Sequence, residues 1–124
     1  MTTILVVEDH PVMRPTLRDL LKLEGYEVIT AVNGLDAIDK LRDKPVELVI
    51  TDFMMPKMDG LTLLKFLRSD DRYAHLPILL FTGNANPEVR NQAMDAGADE
   101  FLIRPITVQE LFNTIERLIP VMQE

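Results

Sequence analysis

The sequence predicts an α/β fold, five strands alternating with five helices in a doubly wound parallel sheet, and three observations carry that expectation. Short apolar runs recur at intervals too long for hairpins. The stretches between them have helical period. The runs themselves do not alternate apolar with polar residues, which is how strands read when helices cover both faces of a sheet.

Taken in order, the first strand is Ile4-Leu5-Val6-Val7, and Met13, Leu17, Leu20 and Leu21 form the stripe of the helix after it. Gly25 stands where a left-handed C-cap ends that helix. Tyr26 to Ala31 is a more polar strand, expected at a sheet edge where one side meets water. Ala37, Ile38 and Leu41 mark the second helix, Leu48-Val49-Ile50 the third strand, and Leu63, Leu64 and Leu67 the third helix. Ile78-Leu79-Leu80-Phe81 is the fourth strand. Asn86-Pro87 reads as N-cap and first-turn proline of a fourth helix with Val89, Ala93 and Ala96 on one face, closed by Gly97. Phe101-Leu102-Ile103 is the fifth strand. The capping box Thr107-Val108-Gln109-Glu110 opens a fifth helix with the stripe Val108, Leu111, Phe112, Ile115 and Ile119, which runs out near Pro120.

The chain has 124 residues, of which 47% are hydrophobic and 27% charged, with only 5 Gly and 8 Pro. That fits one domain spanning residues 1–124 and excludes a disordered or fibrous chain. No apolar run approaches the ~18 to 20 residues that cross a bilayer, and Met1-Thr2-Thr3 lacks the basic start of a secretory signal, so a soluble, cytoplasmic protein is expected. With no cysteine and two separated histidines there is no disulfide framework, thiolate zinc site or cysteine nucleophile. Any metal must be held by oxygen. A net charge of −7 and a pI near 4.8 disfavour direct binding to nucleic acid or an anionic membrane.

Ligands of doubly wound sheets bind beyond the carboxyl ends of the strands, where the winding reverses. The residues just past each apolar run therefore predict a site: Glu8 and Asp9, then Thr51 and Asp52, then Thr82, then Arg104. Crowded carboxylates repel unless a cation joins them. Mg2+ suits them, since it takes a few carboxylate oxygens and keeps positions open for phosphate oxygens. Glu8, Asp9 and Asp52, one divalent ion and Arg104 together sum to zero charge, a cluster able to accept a phosphoryl group. Such a transfer needs an in-line nucleophile and positive charge on the equatorial oxygens, and a carboxylate can be the nucleophile. Asp52 is the candidate, because it ends the third run and is followed by the loop Phe53 to Gly60. Thr82 and Arg104 would grip the transferred group from the opposite side.

In these residues the chain resembles a response-regulator receiver domain of two-component signalling, over essentially all 124 residues. The motifs fall in order: the acidic pair Glu8-Asp9, the phosphoacceptor Asp52, the loop Met55-Pro56-Lys57-Met58-Asp59-Gly60, Thr82 with small Gly83 after it, and Arg104-Pro105. The resemblance implies a flavodoxin-like strand order 2-1-3-4-5. It implies Mg2+ or Mn2+ held by Asp9, Asp52 and the Met54 carbonyl, with Glu8 acting through water. It implies a sensor histidine kinase or histidine phosphotransfer protein as phosphodonor, in a signalling domain that assists its own phosphorylation and dephosphorylation. It also implies a switch in which Thr82 moves toward the phosphate, Phe101 swings inward, and the surface of the fourth helix, fifth strand and fifth helix changes for a downstream partner, with a homodimer as a further option. Met54 and Asn84 occupy the positions that tune phosphate lifetime, and the Arg104-Pro105 bond is expected to be cis.

One departure stands out: the family's basic residue is lysine, and Arg104 is longer, planar and geometrically more demanding. It favours an alternative, a degenerate receiver that binds partners without being phosphorylated. A metal-dependent phosphohydrolase would want a second acid two residues past the nucleophile, where Met54 stands. A flavin module would want a hydroxyl- and amide-rich phosphate loop, where Glu8 and Asp9 would repel phosphate. His10 reads as an exposed residue at the start of the first helix rather than a ligand, His75 as a loop residue, and Met54, Met55 and Met58 as soft contacts around the site.

Overall fold

A computed structural model describes residues 2–83 and 86–119. The strands are β1 (Thr3–Val7), β2 (Glu27–Ala31), β3 (Leu48–Asp52), β4 (Ile78–Thr82) and β5 (Glu100–Ile103). The helices are α1 (Met13–Leu23), α2 (Gly34–Asp43), α3 (Gly60–Ser69), α4 (Pro87–Asp95) and α5 (Val108–Leu118). All strand pairs are parallel, in the order β2-β1-β3-β4-β5, as the resemblance implied. β2 lies at the edge, and four of its five residues are only partly covered.

Period-two alternation divides the strand side chains between two cores. Leu5, Val7, Val49, Ile78, Leu80 and Phe101 pack against α2, α3 and α4. Ile4, Val6, Leu48, Ile50, Leu79 and Phe81 pack against α1 and α5. Helices therefore leave on opposite faces after β1 and β3, which are sheet neighbours, and the winding reverses there.

Two strands run further at their carboxyl ends than their apolar letters. β3 continues through Thr51 and Asp52, and β4 through Thr82, because the ladder is backbone-made: Thr51 pairs with Val7, Asp52 with Phe81, and Thr82 with Ile103. Polar side chains at a strand end do not stop the pairing. Gly25 and Gly97 adopt φ of +95° and +108° and close α1 and α4 as expected. Asn86 accepts from Glu88 N, and Thr107 accepts from Glu110 N at 3.0 Å. On α5 the stripe differs at two places: Val108 is exposed, whereas Thr114 is buried with its hydroxyl donating to Glu110 O at 2.9 Å. A hydroxyl that bonds the preceding turn is satisfied inside the fold. Pro120 lies outside the described residues.

Candidate functional site

Sheet order decides which strand ends meet. Glu8 and Asp9 leave β1 directly beside the end of β3, where Asp52 is the last residue, and Arg104 follows β5 across the end of β4. Carboxylate oxygens of Glu8, Asp9 and Asp52 lie within 4.8 Å of one another. Glu8 and Asp52 are buried and Asp9 is exposed, so the cluster has a wet side.

The guanidinium of Arg104 donates from Nη2 to Glu8 Oε1 at 2.7 Å and from Nη1 to Asp52 Oδ2 at 3.4 Å. The Arg104 charge, counted above toward the whole cluster, thus falls more closely on Glu8 than on Asp52. Glu8 Oε2 accepts from His10 N at 3.1 Å. Burial nevertheless holds the Glu8 carboxyl above its usual range, and Asp52 adds to the rise, while the His10 amide and Arg104 pull the other way. The site gathers more negative charge than its own cation offsets.

Met54 donates its amide to Asp52 Oδ1 at 3.3 Å while its side chain is exposed. The loop between β3 and α3 is closely packed at its ends. Phe53 N donates to Phe81 O and Gly60 N to Phe53 O, each at 2.9 Å. A Cβ on Gly60 would stand 2.3 Å from the Asp52 carbonyl oxygen and 2.9 Å from Leu80, so only glycine lets α3 start this near Asp52. Met55 is buried, and its sulfur receives the Thr51 hydroxyl at 4.0 Å.

Thr82 is buried at the end of β4, and the Arg104 amide donates to its carbonyl at 2.7 Å. Phe101, expected to swing inward, already lies inside, 6% exposed among the residues packed on the α3 and α4 side. Asn84 lies outside the described residues. The Arg104-Pro105 bond is cis. His75 is exposed in the loop before β4.

Sequence reasoning missed three supports. His10 does more than sit at the start of α1: its Nδ1 accepts from Val12 N at 3.2 Å and Met13 N at 3.3 Å, serving as a cap where Val12 has none. Arg14 reaches back one helical turn and donates to Glu8 O at 3.0 Å and Asp9 O at 3.3 Å, holding the acidic pair by its backbone. Phe81 lies under the Arg104 guanidinium, 4.5 Å from ring centroid to guanidinium carbon. A basic residue on the first turn of α1, five positions after Asp9, was the one legible signal among these.

The donor set fits Mg2+. It is all oxygen and open to water through Asp9, and its span is close to the ~4.2 Å between opposite ligands of an octahedral ion with bonds of ~2.1 Å. Fold and site together define an acidic crevice at the switch point of an open α/β sheet.

Comparison with known proteins agrees. The sequence pattern of the response regulator receiver domain matches residues 4–116, and the chain belongs to that family. It is 31% identical over 114 residues to the polar-differentiation response regulator DivK of Brucella anthropi, covering 92% of this chain and 93% of that one. It is 35% identical over 116 residues to a gliding motility regulatory protein of Myxococcus xanthus, covering 93% of this chain but only 15% of that longer protein. The response regulator TrrA of Thermotoga maritima, solved in complex with Mg(2+)-BeF, superposes with a TM-score of 0.84 at 33% identity, covering 95% of this chain and 99% of TrrA. No helix among the described residues is long and apolar enough to cross a membrane.

Proposed function

We propose that residues 1–124 act as one phosphorylation-controlled receiver, in which Asp52 accepts a phosphoryl group from the phosphohistidine of a sensor histidine kinase or a histidine phosphotransfer protein. The observation that carries this reading is the meeting of three carboxylates within 4.8 Å at the ends of β1 and β3, with Arg104 bound to two of them. An Asp52 Oδ attacks phosphorus, the phosphorus–nitrogen bond of the donor breaks, and the imidazole leaves with the electron pair and takes up a proton. Asp9, Asp52 and the Met54 carbonyl would hold Mg2+ or Mn2+, with Glu8 acting through water, and the ion would supply positive charge beside the phosphoryl oxygens. Thr82 would donate its hydroxyl to one of those oxygens and Arg104 its charge. The chain then assists its own phosphorylation and dephosphorylation without turning over a free substrate.

The switch reading is that phosphate draws Thr82 toward Asp52 and redistributes Phe101 and the α4, β5 and α5 surface, where a downstream partner or a second copy docks. Phosphate acts only as far as it prefers one arrangement. Because Phe101 is already buried, the motion available to it here is a repacking within the core.

Arg104 favours the second reading, a receiver that binds partners without accepting phosphate. The geometry supports the first, since the guanidinium reaches the Asp52 carboxylate as well as that of Glu8. Intact-mass measurement after incubation with acetyl phosphate decides between them. A phosphate adduct that requires Mg2+ and is lost in Asp52→Asn is expected. Mg2+ binding with no adduct selects the degenerate receiver.

A further inference from the structure

Arg104 is fixed by more than its carboxylate partners. Its two hydrogen bonds are unequal, 2.7 Å to Glu8 and 3.4 Å to Asp52, and two contacts from one edge leave a planar ion free to tilt about that edge. The third constraint is the Phe81 ring, which lies under the guanidinium at 4.5 Å. A guanidinium has a weakly hydrated flat face and a donor-bearing rim, so a ring against the face leaves the rim for acceptors.

The backbone places that ring well. Phe81 pairs with Asp52 on one side and Leu102 on the other, so it sits between the phosphoacceptor strand and the strand that delivers Arg104. Its side chain is buried on the α1 and α5 face with Leu17 and Leu111, opposite to Leu80. Beside it is a groove of about 270 Å³, lined by Met13, Leu17, Ile106 and Leu111 together with Phe81 and Arg104. A smaller side chain at Phe81 would widen this groove and give the guanidinium somewhere to tilt.

We propose that Phe81 is a positioning residue whose ring sets the plane of the Arg104 guanidinium, keeping its nitrogens aimed at Glu8 and Asp52 and so governing how Arg104 meets a phosphoryl group on Asp52. The inference rests on Asp52 as phosphoacceptor. Phe81 and Arg104 then function as a pair: the ring matters to a planar cation and little to a compact, strongly hydrated ammonium.

The test is a double-mutant cycle on the full chain, using wild type, Phe81→Leu, Arg104→Lys and the double variant, read by titration with beryllofluoride in saturating Mg2+ and by acetyl-phosphate labelling rates. Phe81→Leu is expected to weaken beryllofluoride binding about fivefold with Arg104 present, the size of a partly desolvated cation–π contact, and less than about twofold in the Arg104→Lys background. Phe81→Tyr, which keeps the ring, is expected to stay within about twofold of wild type. Equal losses in both backgrounds, or no loss with Arg104 present, overturn the proposal. If urea denaturation shows Phe81→Leu unfolded, Phe81→Met takes its place and is read the same way. Asp52→Asn separates the two levels: unchanged beryllofluoride binding in that variant overturns the phosphoacceptor reading itself, whereas its loss alongside an uncoupled cycle overturns only the role of Phe81.

Discussion

The two ends of the sheet carry the same residue types and use them in opposite ways. At the amino end, Asp99 accepts from Arg68 Nη2 and from Ile78 N, both at 2.8 Å, while Arg68 also donates to the carbonyls of Tyr73, Leu76 and Gly97. Glu47 accepts from Thr3 N at 2.6 Å, and Glu27 takes the Thr3 hydroxyl and the Lys44 ammonium. These acids are spread along the rim, each with donors of its own. At the carboxyl end, Glu8, Asp9 and Asp52 crowd within 4.8 Å, Arg104 pairing with Glu8 and Asp52 while Arg14 binds only the Glu8 and Asp9 carbonyls. The contrast teaches where stability and function reside. Paired charge at one end staples strands and loops, and the crowded carboxylates at the other end are left short of positive charge.

The largest expected effect breaks the stapled end. Arg68→Met leaves three backbone carbonyls and Asp99 without their shared donor, and urea denaturation is expected to show a loss of about 2–3 kcal/mol. Beryllofluoride binding should survive, since no part of the acidic cluster is touched.

Next comes Gly60→Ala at the opposite end. Its methyl would meet the Asp52 carbonyl oxygen at 2.3 Å, and backbone cannot yield as a flexible side chain does. A loss of about 2 kcal/mol is expected, with weaker phosphate-analogue binding because the Asp52 backbone must shift. Unchanged binding would mean that the close start of α3 is packing alone.

The smaller effects concern pH, and they carry opposite signs at the two ends. Glu8 is held above its usual range chiefly by burial, so the metal-free fold loses stability as pH rises from about 4.5 through the folded value. Glu8→Gln should therefore flatten that slope in the metal-free chain. Glu27 is held low, first by its Lys44 hydrogen bond and then by Thr3, so its contribution is present above the unfolded value and fades as pH falls through the lower folded one. Glu27→Gln should lower the neutral part of the profile slightly and leave its acid end unchanged. Thermal melts from pH 3 to 8 without metal read both.

Much of this comparison is legible in the residues. Continuous apolar runs mark the strands, their helical spacers the parallel connections, and the topology rule for open α/β sheets points to the carboxyl-end rim, where Glu8, Asp9, Asp52, Thr82 and Arg104 do lie. What the letters do not carry are partnerships that cross the chain. Arg68 and Asp99 are 31 positions apart, and nothing local marks Arg68 as the donor to three carbonyls. Likewise Phe81 reads only as a strand residue, because the ring's contact depends on β5 arriving beside β4. His10 reads as exposed, which it is, but its capping role rests on loop geometry that obeys no spacing rule. The apolar letters end β3 two residues early because hydrophobicity reports burial by apolar side chains, whereas a strand ends where its backbone pairing ends.

Most direct for the central claim is the thermal midpoint of the full chain, with and without Mg2+, in wild type and Asp52→Asn. Charge crowded at the carboxyl end predicts that Mg2+ at about a hundred times its dissociation constant stabilises wild type by ~2.7 kcal/mol, a rise of several degrees, and moves the variant far less. A wild-type midpoint indifferent to Mg2+, or an equal rise in both chains, would contradict the account.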